Sequence, residues 1–419
     1  MERKAAVAVG KAPVGSPARK ITAILFAAQC LGSAGFIAMS TVGAILAAEL
    51  SGKSWAGVPS AASALAGAGA AFLWGYLMDS LGRRGALALG ILCGALGASA
   101  SIFAIVHGSF FLLVAGMVLV GIAQAAMTLS RFVAAEVNPP ERRGRAISYV
   151  VLGGTAGAIL GPLLVAPSGR LMTGAGISEL AGAFAAAAIL LAAAGATVLV
   201  GLRPDPRELG RALAESLPRQ GGESPARSIR EILRQPVAVA AVVSMVLSQV
   251  VMVAVMVITS LYMKDMHHDL ADVSIVFSAH TIGMYAFSLL SGRLADRWGR
   301  APVIITGALV LIVACLTASL TAETFPIAGS LLLLGLGWNF CFVGGSALLS
   351  DQLAPAERAH TQGFNDLLVG LAAGIGSFGS GVVSSAIGYL GVGLTGAVLS
   401  LVPLVLVASR ARAIRKAAI

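Results

Sequence analysis

Charge is scarce in this chain of 419 residues: Asp, Glu, Lys and Arg together make up 11% of it, and aromatic residues only 6%. The four cysteines, Cys30, Cys93, Cys315 and Cys341, lie in four separate apolar stretches with no C-x-x-C spacing. That excludes a disulfide framework and a zinc site. No G-x-x-x-x-G-K-[S/T] loop is present, so ATP-driven work is excluded too. The chain reads as a non-enzyme with no prosthetic group. What it has in excess is apolar residues, 57% of the total, more than a soluble domain of this length needs.

Those residues fall into twelve runs near 21–48, 55–78, 85–106, 109–137, 146–167, 180–202, 237–262, 272–294, 302–322, 325–350, 360–386 and 388–408. Each is long enough to cross a hydrocarbon core of ~30 Å as a helix. The predicted class is an all-α polytopic membrane protein embedded in a lipid bilayer. A net charge of +10 would suit nucleic acid, but its distribution excludes that partner. With both termini cytoplasmic, 25 Lys and Arg fall on the inner side and only Lys53, Arg170 and Lys264 on the outer side. This is the positive-inside bias of a bacterial inner membrane protein. The basic N-terminus followed by a long apolar run reads as an uncleaved first span rather than a signal peptide.

The expected organisation is a cytoplasmic segment at 1–20, a six-span bundle at 21–202, a linker at 203–235, a second bundle at 236–409 and a tail at 410–419. The linker carries seven arginines and five acids. The halves echo each other: GYLMDSLGRR (75–84) returns as GRLADRWGR (292–300), and PPERRGR (139–145) as PAERAHT (355–361). A duplicated six-helix unit is the trace of a parallel repeat. On these motifs the chain resembles the major facilitator superfamily, whose loop motif Gly-x-Leu-Ala-Asp-Arg-x-Gly-Arg is matched by Gly292 to Arg300 and more loosely by Gly75 to Arg84. The resemblance spans the whole chain. It implies two pseudo-symmetric six-helix bundles and alternating access around a central cavity, in a chain expected to be monomeric.

The glycines of the motif permit a tight turn, and its arginines can pair with acids at a neighbouring helix end. Two latches are therefore expected: Asp79, Arg83 and Glu136 in the first half, and Asp296, Arg300 and Asp351 in the second. Otherwise these residues are topology signals only. Two departures weaken a multidrug-antiporter reading. Met117 stands where such antiporters carry an arginine on span 4, four residues before Gly121, and GTAGAILGP (154–162) lacks the glycines expected after it.

Spans 7 and 8 carry a more specific pattern. Met252 and Met256 stand at i and i+4 on span 7, and His280 and Met284 at i and i+4 on span 8. At ~1.5 Å per residue, counted from the loop that joins the spans, they lie at depths of about 15, 9, 12 and 18 Å respectively. The two spans are expected to be antiparallel neighbours joined by an outer loop near 263–271, so three thioethers and an imidazole share one level, a soft set suited to Cu(I). Met also fills irregular core gaps, and a lone histidine can be hydrogen-bonded locally, so spacing leaves both readings open. An MxxxM on span 7 with an HxxxM on span 8 is similar to the CcoA-type copper importers of the same superfamily. That resemblance implies that Met252, Met256, His280 and Met284 bind copper as transported substrate, supplied to assembly of cbb3-type cytochrome oxidase.

Arg131 and Asp366 lie inside the membrane on opposite halves. They form an inter-half gate, or Asp366 is a proton site, or both are paired locally by snorkelling. Met263, Met266, His267, His268 and Asp269 form an outer loop that either gathers metal or is merely solvated. Gln29, Gln124, Trp338 and Asn339 are expected to line the cavity, and Cys30 and Cys341 to offer at most a relay thiolate. The leading expectation is a copper importer. The alternative is a transporter of a small organic solute or drug, riboflavin-like or proton-coupled, and a static scaffold is a third.

Overall fold

A computed structural model of the chain describes residues 17–216 and 227–417. The first sixteen residues, linker positions 217–226 and the last two residues lie outside the described residues. The first half comprises α1 (Pro17–Ser51), α2 (Val58–His107), α3 (Phe110–Glu136), α4 (Pro140–Leu163), α5 (Val165–Gly174) and α6 (Ala181–Gly201). Two short linker helices follow, α7 (Pro206–Ser216) and α8 (Ile229–Ile232). The second half comprises α9 (Pro236–Asp265), α10 (Leu270–Tyr285), α11 (Ser288–Trp298), α12 (Arg300–Thr317), α13 (Thr324–Asp351) and α14 (Pro355–Ala417). No strand occurs among the described residues.

Ten helical stretches are long and apolar enough to cross a membrane. Two helices are bent into a pair of spans each. α2 turns at Gly82 (φ 77°, ψ 167°) and α14 at Ile387 and Gly388, the latter with φ 73°. The first arm of α2, 58–81, is about 36 Å long by helical rise, enough to cross. The twelve expected spans are thereby recovered, with span 5 continued from α4 into α5 and span 8 from α10 into α11. Large apolar side chains such as Leu73, Phe103, Phe111, Ile189, Phe325 and Val405 stay exposed on the outside of the bundle, where hydrocarbon would cover them.

Each half has its own core. One cluster runs from Ala18 to Leu202 and the other from Ile232 to Ile414. Both borrow across the midline: Leu270 joins the first cluster, and Ala44 and Ala56 join the second. All three borrowed residues lie at the face of the membrane opposite the linker, called here the distal face.

A seam of small residues explains why the halves close there. The first arm of α2 runs beside the first arm of α14. The Gly57 carbonyl accepts from the Ser377 hydroxyl (2.8 Å), Gly374 lies against Leu65 and Ala61, and Gly381 against the Ser54 carbonyl. Small side chains let helix backbones approach closely in a membrane, where dispersion and hydrogen bonds replace the hydrophobic drive. Lys53 and Asp265 bridge the halves at the rim of the same face, at 2.7 Å.

Candidate functional site

The repeated loop motif folds the same way twice. Gly82 (φ 77°, ψ 167°) and Gly299 (φ 92°, ψ 164°) hold a conformation essentially restricted to glycine. The next residue, Arg83 or Arg300, opens the following helical arm and reaches back. Arg83 pairs with Asp79 (2.9 Å) and Glu136 (2.8 Å), and Arg300 with Asp296 (3.1 Å) and Asp351 (2.9 Å). Both expected triads are thus assembled, each tying a bend to the end of span 4 or span 10.

The linker adds two contacts that the motifs did not signal. Asp205 accepts from the backbone N–H of Arg83 (3.2 Å), Arg84 (3.1 Å) and Arg207 (2.9 Å). It thereby caps the second arm of α2, whose N-terminal amides favour an anion. At the other end of the linker, Arg227 grips the buried Glu357 through Nε and Nη2, both at 2.7 Å. The Arg227 guanidinium, joined by the backbone N–H groups of Arg227 and Ala354, holds the Glu357 carboxyl down at about 2. The available signal was weak: Glu357 belongs to the second P-x-E-R copy, and Asp205 and Arg227 are charges in a linker rich in them.

Between the halves lies a cavity of about 200 Å³. Its wall from the first half carries Gln29 and Ser33 on α1, Gln124, Thr128 and Arg131 on α3, and Thr155 on α4. Tyr285, at the end of α10, faces it from the second half. Gln29 is held by the Ser130 hydroxyl (3.1 Å). Behind Tyr285 stands an aromatic stack, with Trp338 edge-on to Tyr285 at 6.3 Å and stacked on Phe342 at 4.9 Å. Trp338 donates its indole N–H to Gln249 on α9 (2.8 Å). Gln29 and Gln124 therefore line the cavity as expected, and Trp338 backs it.

Asn339 does not line the cavity. Its amide donates to the Met284 carbonyl (2.6 Å) and to the Ser288 hydroxyl (2.9 Å), and its carbonyl oxygen accepts from Ser291. These bonds satisfy polar groups at the break between α10 and α11, so Asn339 is spent on holding a broken span.

Arg131 and Asp366 meet across the midline at 2.9 Å, as one of the three sequence readings required. The guanidinium also lies over Phe132, 4.9 Å from the ring centre. This pair sits nearer the linker face, about one and a half helical turns inside the end of α3.

The Met/His pattern is arranged differently from the geometry expected. α9 packs on α14 and α13, α10 packs on α13 and α4, and α9 and α10 scarcely touch. The physical reason is α13, whose glycines accept neighbours on three sides. A Cβ at Gly335 would meet the His280 carbonyl, one at Gly337 would meet α12, and one at Gly345 would meet Met245 of α9. Close succession in sequence placed spans 7 and 8 side by side; small residues on a later helix draw them to α13 instead. Met252 and Met284 are buried in the core and Met256 is at its edge. His280 is buried, with Nδ1 bonded to the Leu331 carbonyl of α13 at 3.0 Å and Nε2 without a partner among the described residues. A further thioether escaped the pattern: the Met245 sulfur accepts from Ser346 (3.3 Å) and Asn365 (3.6 Å).

The distal loop is committed to structure. Met263 is buried, Asp269 caps α10 by accepting from the Asp272 N–H (2.9 Å), and His268 bridges to the Ala322 carbonyl (2.6 Å) and Asp272 (3.2 Å). Among the described residues no three His, Cys, Asp or Glu side chains converge as a metal site. Cys341 is buried with its thiol toward the Ile304 carbonyl (3.6 Å), and Cys30 is half-buried.

Comparison with known proteins extends this picture. The family description Major Facilitator Superfamily matches residues 24–270 and 241–417. The chain is 35% identical over 388 residues to YdeG, an uncharacterised MFS-type transporter of Bacillus subtilis, covering 92% of this chain and 90% of that one. It is 29% identical over 317 residues to the riboflavin transporter RfnT of Brucella anthropi, covering 75% and 76%. Its fold resembles the partially occluded inward-open form of the xylose transporter XylE of E. coli, with a TM-score of 0.64 at 16% identity over 93% and 97% of the two chains. Duplicated bends, paired bundles and a cavity between them, together with a family match over both halves, establish that this chain belongs to the major facilitator superfamily of secondary transporters.

Proposed function

We propose that this transporter carries a small organic solute with a planar, hydrogen-bonding body, of the riboflavin kind. The observation that carries the reading is the cavity itself. Uncharged donors and acceptors from Gln29, Ser33, Gln124, Thr128 and Thr155 face the Tyr285 ring, which Trp338 and Phe342 support from behind. Neutral amides and hydroxyls read the edges of such a molecule, while an aromatic ring offers it a face. The likeness to RfnT supports the same class. Copper is not part of the proposal, because the two helices that would supply its ligands each lean on α13 rather than on each other.

The basic linker, with the bends at Gly82 and Gly299, belongs on the cytoplasmic side by the positive-inside bias. The small-residue seam then seals the outer face, and the cavity lies on the cytoplasmic side of that seal. Transport proceeds by exchange between this arrangement and one in which the seam parts and the linker face closes. Uptake into proteoliposomes tests the reading with riboflavin and Cu(I) as parallel cargoes. Riboflavin flux that falls at least tenfold in Gln124→Ala and Tyr285→Leu, with His280→Ala near wild type, is expected. Copper flux that depends on Met252, Met256, His280 and Met284, with no riboflavin flux, would overturn it.

A further inference from the structure

Among the described residues four arginines turn Nε or Nη2 to a carboxylate, Arg300 with Nε alone to Asp351 (2.9 Å), and the other three use the fork unequally. Arg83 gives Nε and Nη2 to the two oxygens of Glu136, at 2.8 and 3.3 Å. Arg227 gives both to Glu357, at 2.7 Å each. Arg131 gives only Nη2 to Asp366, at 2.9 Å, and its Nε is buried with no partner among the described residues. Arg83 and Arg227 hold structure at the linker face, while Arg131 lines the cavity and is the single charged side chain among the described residues that do. A guanidinium fork matches a carboxylate or phosphate through two parallel bonds. Asp366 therefore leaves this fork half filled, on the charged side chain that lines the cavity.

We propose that Arg131 reads an acidic group on the transported solute, a carboxylate or a phosphate, which takes Nε and Nη2 together and displaces Asp366. The inference rests on the organic-solute reading and narrows it to anions. Two observations make the exchange feasible. The Arg131 and Asp366 side chains keep 31% and 43% of their exposure, so the displaced carboxylate is left beside water rather than stranded in an apolar core. The Phe132 ring under the guanidinium at 4.9 Å holds its position when the partner changes. The pair also links the two halves, since Arg131 lies on α3 and Asp366 on α14. Displacing Asp366 thus releases a strap between the bundles at the moment an anion is bound, which ties movement of the halves to occupancy of the cavity.

The test uses purified full-length protein in detergent and two pairs of probes that differ in one acidic group: riboflavin against riboflavin 5′-phosphate, and nicotinamide against nicotinate. Binding is read by titration calorimetry, and the first pair also by quenching of flavin fluorescence. In wild type the acid member of at least one pair is expected to bind about tenfold more tightly, the worth of a charge-assisted hydrogen bond. Arg131→Gln should erase that preference, so that the acid and neutral members of a pair bind within about twofold of each other. Asp366→Asn, which removes the competitor and keeps the shape, should strengthen acid binding. The phosphate and carboxylate arms separate the two chemistries. Riboflavin binding with no advantage for either acid, or acid binding weakened equally by both variants, overturns the inference and leaves the organic-solute reading standing. Binding of none of the four probes overturns both.

Discussion

Replacing Gly57 by alanine should hold the distal face open. Gly57 has an ordinary helical backbone (φ −81°, ψ −12°), so alanine fits the chain locally and any effect comes from its new methyl group. That Cβ would stand 1.7 Å from the Ser377 carbonyl oxygen and 2.5 Å from its carbon. Comfortable contact begins near ~3.5 Å, so the two arms must separate by about 1.5–2 Å. Forcing a methyl group into a packed seam costs about 1–3 kcal/mol. Losing the Ser377 hydroxyl bond to the Gly57 carbonyl adds about 0.5–1.5 kcal/mol. When the seam is already apart, neither cost applies. The equilibrium between sealed and parted forms should therefore shift by about 1.5–4.5 kcal/mol, or ~10-fold at the least, at about 1.4 kcal/mol per decade. The assay is the rate at which a charged, membrane-impermeant maleimide, added at the distal face, labels Ser33→Cys in the cavity, with the four native cysteines replaced. Labelling should accelerate by about tenfold in Gly57→Ala if the sealed form dominates. Gly69→Ala is the control on the same arm, since a Cβ there meets nothing within 4 Å. An unchanged rate in well-folded Gly57→Ala protein would refute the claim that this seam is the distal seal.

The two copies of the loop motif should respond unequally to the same change. A Cβ at Gly82 would press on the Asp205 carboxylate at 2.6 Å, whereas one at Gly299 finds only Pro302 at 3.9 Å. Gly299→Ala should cost about 1–3 kcal/mol from backbone strain alone, and Gly82→Ala more. Adding Asp205→Ala should recover part of the difference in unfolding midpoint, and strict additivity would show that Asp205 does not crowd the bend. Glu357 is held near 2 by Arg227 against an unfolded value of 4.5. Its contribution to stability is thus complete above about pH 4.5 and fades as pH falls towards 2. Glu357→Gln should lower the unfolding midpoint at neutral pH and flatten the acid slope; parallel wild-type and variant curves would argue otherwise. The His268 ring is raised above its ordinary 6.5, chiefly by its bond to the Ala322 carbonyl and further by Asp272. The stabilisation it adds is therefore present below about pH 6.5 and lost as pH climbs through the raised value. His268→Gln should remove a step in midpoint on that alkaline side, and a step that persists in the variant would assign it to another group.

Much of the architecture was legible before folding. Apolar runs of membrane length, basic loops on one side and the repeated Gly-Asp-Gly-Arg loop depend on local composition and short spacing, which a linear reading sees directly. The same holds for the latches: Asp79 and Arg83, like Asp296 and Arg300, are one helical turn apart in sequence, and their third partners end the matching spans. The relation between Arg131 and Asp366 could be framed as a question, since both are charges that a bilayer tolerates only with a partner.

What the tertiary structure decided is which helices touch. Spans 7 and 8 follow one another, yet both lean on α13, because Gly335, Gly337 and Gly345 lower its surface where neighbours arrive. That rearrangement undid the side-by-side packing on which four soft ligands depended, and it also set Asn339 to hold a broken span instead of facing a solute. The half-used fork of Arg131 is a fact of the same kind, because sequence can supply an arginine and an aspartate but cannot say how many of five donors they share. In a membrane, composition determines that a segment crosses. Neighbours are chosen by the fit of small residues over many turns, and that fit exists only once all twelve spans are in place.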